Sequence, residues 1–266
     1  MTTSAEPRDL SVLAIDIARE AGGLAARRRR EGVAIAATKS GLADIVTEAD
    51  REVEALIRAW LAESRPSDGF LGEESGASEA TSEITWVVDP IDGTVNYTYG
   101  IPQYAVSIAA VSGSADPATW TALAGVVFNP ASGELFHASA GGGAWLGDER
   151  LAVAEPGPAG ALLATGFGYD PATHAPTLER LARVMPLARD IRRLGSAALD
   201  LAFVAAGRLD GYYERGLHAW DHAAGALLVD EAGGRTGGAP HGRPGREMTI
   251  AAGPGLFDRL AAAVAD

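Results

Sequence analysis

The chain has 266 residues, 47% of them hydrophobic and 21% charged, which excludes an intrinsically disordered chain and fits one large domain or two close halves. It holds no cysteine, so disulfides, thiolate-bound zinc, iron–sulfur clusters and a cysteine nucleophile are excluded. A formal net charge of -13, from 35 acidic and 22 basic residues, repels nucleic acid and anionic membrane, and an anionic substrate would need a cation in its site.

Leu10, Leu13, Ile17 and Leu24 recur at helical spacing. They predict a helix from about Asp9 to Arg30, with Asp9 as its N-cap and the Arg27–Arg30 run in its last turn. A second helix is predicted from Glu48 to Ala62, burying Val53, Ile57, Trp60 and Leu61, with Thr47 and Asp50 spaced as a capping box. Thr85–Val88 reads as a buried strand ending at Asp89-Pro90, and Ala105–Val111, Leu123–Phe128 and Gly133–His137 read as further strands. Gly141–Gly143 marks a turn and Leu162–Gly166 a short strand. Pro171–Ala188 contains a helix, and Ser196–Ala206 is another. Gly211–Tyr213 reads as a strand, His222–Glu231 as a helix closed by Gly233-Gly234, and Gly255–Ala265 as a final helix. The Pro/Gly-rich stretch Glu155–Gly160 is the candidate hinge between halves 1–154 and 155–266. No run reaches the ~18 apolar residues of a membrane span. Met1–Asp9 is polar, without the apolar core of a signal peptide. The expectation is a cytoplasmic protein that binds neither membrane nor nucleic acid.

Four short segments gather carboxylates beside turn residues: Asp44–Asp50, Gly72–Gly76, Trp86–Thr94 and Trp220–Gly225. In the third, the strand delivers Asp89, Pro90 fixes the backbone, Gly93 permits a sharp turn, and Asp92 can converge with Asp89 on one point. Carboxylates packed so closely repel unless neutralised, and a hard divalent cation with oxygen ligands does this best. Mg²⁺ is the expected ion. Each segment alone also has a plain structural reading. Asp89–Thr94 could be a capped turn, Gly72–Ser75 an exposed acidic turn, Asp221 a simple N-cap, and Thr47 with Asp50 capping only.

The run Asp89-Pro90-Ile91-Asp92-Gly93-Thr94 with Asn96 and Tyr97, followed far downstream by Trp220-Asp221-His222-Ala223-Ala224-Gly225, resembles the inositol monophosphatase family of metal-dependent, lithium-sensitive phosphatases. The resemblance spans roughly Ile35 to Gly234. It implies an α+β fold layered α-β-α-β-α, and a homodimer. It implies Glu73, Asp89, the main-chain carbonyl of Ile91, Asp92 and Asp221 as Mg²⁺ ligands. Thr94 and Glu73 would orient the attacking water, Asp50 would lie beside a third metal, and Glu74 would neighbour Glu73. Lys39, the single lysine among 21 arginines, matches a lysine near the active site of the family; a random surface lysine is its plain reading.

Gly195-Ser196-Ala197 opens a helix, whose free N–H groups suit a polar or anionic ligand, or Ser196 is simply its N-cap. The resemblance assigns Gly195, Ser196 and Ala197 to the substrate hydroxyls. It assigns Glu214 to an inositol hydroxyl, and places Asp92, Gly93, Thr94 and Asp221 against the substrate. The implied reaction is metal-assisted hydrolysis of a small phosphate monoester, inositol 1-phosphate, without a covalent enzyme intermediate. Histidinol phosphate, a 3′-phosphoadenosine nucleotide, NADP and fructose 1,6-bisphosphate are alternative substrates on the same metal motifs. A non-catalytic regulatory binding protein is the alternative of a different class. His218 and His222 have helical zinc spacing, but no Glu follows His218. His222 itself reads as packing or an exposed cap.

Overall fold

The computed structural model describes residues 6–33, 35–38, 45–78, 80–113, 115–238 and 242–265. In chain order the first part runs α1 (Pro7–Glu31), β1 (Ile35–Thr38), β2 (Ile45–Thr47), α2 (Glu48–Ser64), β3 (Gly69–Gly72), β4 (Gly76–Ser78), β5 (Ile84–Asp92), α3 (Thr94–Tyr99), β6 (Ala105–Ser112), β7 (Thr121–Asn129), β8 (Glu134–Ser139), β9 (Gly143–Leu146) and β10 (Glu149–Arg150). The second part runs β11 (Ala161–Thr165), α4 (His174–Val184), β12 (Ala188–Arg192), α5 (Ala197–Ala205), β13 (Gly211–Glu214), α6 (Ala219–Glu231), β14 (Arg235–Gly237), β15 (Thr249–Ala252) and α7 (Pro254–Val264). No described helix is long and apolar enough to cross a membrane.

Strands β3 to β10 form an eight-stranded sheet in the order β10-β9-β8-β7-β6-β5-β3-β4, and β11 to β15 form a five-stranded sheet in the order β12-β11-β13-β15-β14. Period-two alternation sends neighbouring side chains to different cores. Trp86 and Val88 pack under α1 and α2, whereas Val87 faces α5 and α6. On the second sheet Tyr212 and Ala251 face those same two helices, and Tyr213, Ile250 and Ala252 face α7. The layers are therefore α1/α2, sheet, α5/α6, sheet, α4/α7, the α-β-α-β-α arrangement that the resemblance implied.

Several boundaries differ from the sequence reading. Helix α1 begins at Pro7 with Glu6 as N-cap; Asp9 lies in its first turn, where its charge meets the helix dipole without capping. Strand β5 does not end at Asp89-Pro90 but continues to Asp92. Its register against β6 steps from Asp89↔Ser107 to Asp92↔Ala105, three residues against two. Pro90 falls in that bulge, where no ladder N–H is needed. Helix α6 starts at Ala219, three residues before His222, because His218 is its N-cap and Asp221 its third residue.

Candidate active site

Parallel pairing of β3 with β5 matches Gly72 to Val88, so the next residue on each strand, Glu73 and Asp89, stand side by side. The Glu73 N–H donates to the Val88 carbonyl at 3.2 Å. The bulge in β5 turns Asp92 toward the same point. Asp221 arrives from the first turn of α6, in the layer beneath, and its carboxylate accepts the His218 N–H at 2.7 Å. One carboxylate oxygen from each of Asp89, Asp92 and Asp221 lies within 4.8 Å of the others. Two of the three come from one strand and the third from 129 positions further along the chain.

Each of these carboxylates is tied to backbone on one side and open to the cluster on the other. Asp89 accepts the Ile91 N–H at 3.0 Å. Asp92 accepts the Ser196 hydroxyl at 2.5 Å and the Ala198 N–H at 2.7 Å. Ser196 is the N-cap of α5 and also donates its hydroxyl to Asp92, so its capping reading holds. Gly93 has φ +91°, and a Cβ there would lie 2.9 Å from the Gln103 carbonyl and 3.1 Å from that of Gly195. Only glycine lets the turn after Asp92 settle against the turn before Ser196. Asn96 stitches the same two loops, donating to the carbonyls of Gln103 and Leu194 at 2.8 Å each.

Thr94 has its hydroxyl 3.1 Å from the Ile91 carbonyl and 3.3 Å from the Asp50 carboxylate. Asp50 closes the capping box of α2 with Thr47, as its spacing predicted, and reaches the site as well. Glu214 ends β13 and accepts the Tyr212 hydroxyl at 2.6 Å. Glu74 follows Glu73 in the turn between β3 and β4. Lys39 lies outside the described residues.

The electrostatics are those of a crowded acidic pocket. Burial and then the charges of Glu73, Asp92, Asp221 and Asp50 push the Asp89 carboxyl well up from its usual range. Burial and then Asp92 and Glu73 do the same to Asp221. Burial raises Asp92 to about 6, although the Ser196 hydroxyl and backbone N–H groups oppose it. Burial raises Asp50 and Glu214 to about 7 each. Such a set fits a hard divalent cation: the ligand atoms are all oxygens, they converge, and positive charge at their centre would remove the mutual repulsion.

Residues beyond the predicted set join the site. Asn96 and Tyr212 support its loops, and Asp200 on α5 is buried beside Glu214 with one carboxylate oxygen lacking a hydrogen-bond partner. Asn96 stands within the run that carries the resemblance, without a role assigned there, whereas Asp200 sits in no pattern that marks it in the sequence. His222 is packing: it is buried, its ring 6.1 Å from that of Trp120, and it is not an exposed cap. His218 stacks on Trp220 at 4.7 Å.

Residues 6–265 match the inositol monophosphatase family. The "Inositol-1-monophosphatase SuhB" of Mycobacterium tuberculosis is 43% identical over 281 residues, covering 97% of this chain and 94% of that protein. The "Nus factor SuhB" of Escherichia coli is 42% identical over 226 residues, covering 84% of this chain and 82% of its own. A crystal structure of the extragenic suppressor protein suhB from Bartonella henselae superposes with a TM-score of 0.87 at 37% identity, over 96% of this chain and 98% of that one. The layered fold, the converging carboxylates and these full-length matches agree, and the chain belongs to the inositol monophosphatase family of phosphatases.

Proposed function

We propose that the protein hydrolyses a polyol phosphate monoester, inositol 1-phosphate, with Mg²⁺ as its cofactor. The observation that carries this reading is the convergence of Asp89, Asp92 and Asp221 within 4.8 Å, beside Glu73 and Thr94. Unaided, that much negative charge would repel a phosphate. Bound Mg²⁺ would supply the positive charge that the phosphate and the leaving oxygen require, and would acidify water.

The chain's own residues do the rest. Glu73, Asp89, the Ile91 carbonyl, Asp92 and Asp221 hold the cation. Thr94 and Glu73 orient the water for in-line attack. The Thr94 hydroxyl proton is directed to the Ile91 carbonyl or to Asp50, which leaves the hydroxyl oxygen free to accept from water. On the far side, Gly195, Ser196 and Ala197 present the N-terminus of α5, and Glu214 accepts a hydroxyl proton of the polyol. Catalysis is then positioning and charge neutralisation. The M. tuberculosis relative's name supports inositol 1-phosphate over the other phosphate esters. We further propose a cytoplasmic homodimer.

The printed name of the E. coli relative, a Nus factor, favours a second reading, a regulatory binding role. Phosphate release from inositol 1-phosphate, histidinol phosphate, 3′-phosphoadenosine 5′-phosphate, NADP and fructose 1,6-bisphosphate, with Mg²⁺ and with EDTA, separates the two. Mg²⁺-dependent release that is fastest from inositol 1-phosphate and absent in Asp92→Asn supports the catalytic reading. Preference for another ester overturns the substrate. Silence with every ester, in folded protein, overturns the catalytic reading in favour of the regulatory one.

A further inference from the structure

Helix α2 carries Asp50 at its first turn and Glu54 one turn later, at i+4, on the same face. Glu54 is 3% exposed, an unusual place for a carboxylate, because burying an ionised group is costly unless hydrogen bonds compensate. Its described hydrogen bonds both come from the turn between β3 and β4: one oxygen accepts the Glu74 N–H and the other the Ser75 N–H, at 2.8 Å each. The fit extends to Gly72, where a Cβ would come within 2.4 Å of the Glu54 carboxylate. Glycine at 72 is what lets the carboxylate approach.

The Glu74 N–H belongs to the peptide plane that also contains the Glu73 carbonyl. Fixing that plane, with the preceding one held through the Glu73 N–H, restricts ψ of Glu73 and the direction of its Cα–Cβ bond. The other side of Glu73 is held by the Val88 carbonyl of β5. We propose that Glu54 is a positioning residue that aims Glu73 at the Asp89–Asp92–Asp221 cluster, coupling α2 to cation binding. The inference rests on the reading of Glu73 as a cation ligand. Together, Asp50 against Thr94 and Glu54 against the Glu73 turn make one face of α2 a rail for two parts of the site. Loss of a hydrogen-bonding partner behind a metal ligand typically weakens metal affinity about 10- to 100-fold.

The test is Mg²⁺ affinity by calorimetry without substrate, in parallel with kinetics, for wild type, E54Q, E54D and R58A. The E54Q amide turns a donor toward one backbone N–H, and E54D withdraws the carboxylate by one methylene. Arg58 is exposed, donates to the Ser75 hydroxyl of that turn at 2.8 Å and lies over the Phe70 ring, without touching the backbone N–H groups that Glu54 holds, so R58A controls for general loosening. Expected are a Mg²⁺ Kd raised about 10- to 100-fold in E54Q and E54D, an inositol 1-phosphate KM little changed at saturating Mg²⁺, and an R58A Kd within about twofold of wild type. A merely structural role would lower the melting temperature and leave the Kd of the folded protein unmoved. That result, or an R58A effect equal to that of E54Q, overturns the proposal. If E54Q does not fold, E54D decides alone. Wild type that binds no Mg²⁺ would instead overturn the cation-site reading beneath it.

Discussion

Asp221→Asn should make the cation-free protein more stable while abolishing its stabilisation by Mg²⁺. Asp89, Asp92 and Asp221 have oxygens no more than 4.8 Å apart, and unit charges at that distance repel by about 3.5 kcal/mol per pair at an effective dielectric of 20. Asp221 takes part in two pairs, so full ionisation costs about 7 kcal/mol. The folded protein escapes part of this by keeping a proton. From the usual 3.8, protonation at pH 8 costs about 5.7 kcal/mol, which caps the penalty. Asparagine removes it and still offers an oxygen to the His218 N–H that Asp221 accepts. The expected gain in EDTA at pH 8 is about 3–6 kcal/mol, or about 6–12 °C for a chain of this size. The sign follows from a carboxyl raised first by burial and then by Asp92 and Glu73: its contribution is fully present below the unfolded value and is lost as pH rises. The gap between variant and wild type should therefore shrink on acidification. Thermal denaturation in EDTA and in Mg²⁺, at pH 6 and 8, measures all of this. In Mg²⁺ the order should invert, with phosphate release lost. An Asp221→Asn variant no more stable than wild type in EDTA at pH 8 would refute the charge-crowding account.

Three further outcomes follow from neighbouring groups. Glu214, raised to about 7 by burial, accepts a polyol hydroxyl best when ionised, so KM should fall as pH rises through 7. E214Q should flatten that profile and raise KM about tenfold at pH 8, and Y212F, which removes the hydroxyl donated to Glu214, should move its midpoint upward. Asp200 is 1% exposed and raised first by burial and then by Glu214. D200N should match wild type in urea denaturation near pH 4 and exceed it at pH 8, because the raised carboxyl costs stability only above its unfolded value. N96A frees the Gln103 and Leu194 carbonyls and should cost about 1–3 kcal/mol in the same denaturation, with KM rising more than the Mg²⁺ requirement.

The sequence carries the site further than it carries the fold's edges. Helix α2 is readable because one face is buried along its length, and β6 because both of its faces are buried and its sequence is a nearly unbroken apolar run. Strands β9, β10, β12 and β14 have two to five residues each, too few to establish a period. Strand β5 reads as ending at Pro90, since proline ordinarily ends a ladder and only the pairing with β6 reveals the bulge. The start of α6 slides to His222 because histidine is a poor N-cap signal, although Asp221 three residues after His218 is the capping-box spacing. Glu54 is invisible for a related reason. An acidic residue on a helix reads as solvated, and its burial depends on a turn about 20 residues away that the sequence does not bring near.

Asp89 and Asp92 can be joined by local reasoning, because they lie three residues apart with Pro90 and Gly93 marking a sharp turn. Asp221 cannot. Its arrival depends on α6 lying between two sheets, with its N-terminus facing the end of β5. That placement also explains how the cluster is tolerated. Asp92 receives the Ala198 N–H at the start of α5, and Asp221 sits in the first turn of α6. Both carboxylates thus lie at the positive ends of helix dipoles, each interaction worth about 0.3–1 kcal/mol and up to ~2 when partly buried. Against about 3.5 kcal/mol per repelling pair, two helix termini lessen the strain without cancelling it. The remainder is the driving force for taking up a cation. The middle layer of the fold therefore holds the acidic cluster together while leaving it short of positive charge, and under the proposed reading a bound cation would supply the charge that a phosphate needs in a chain of net charge -13.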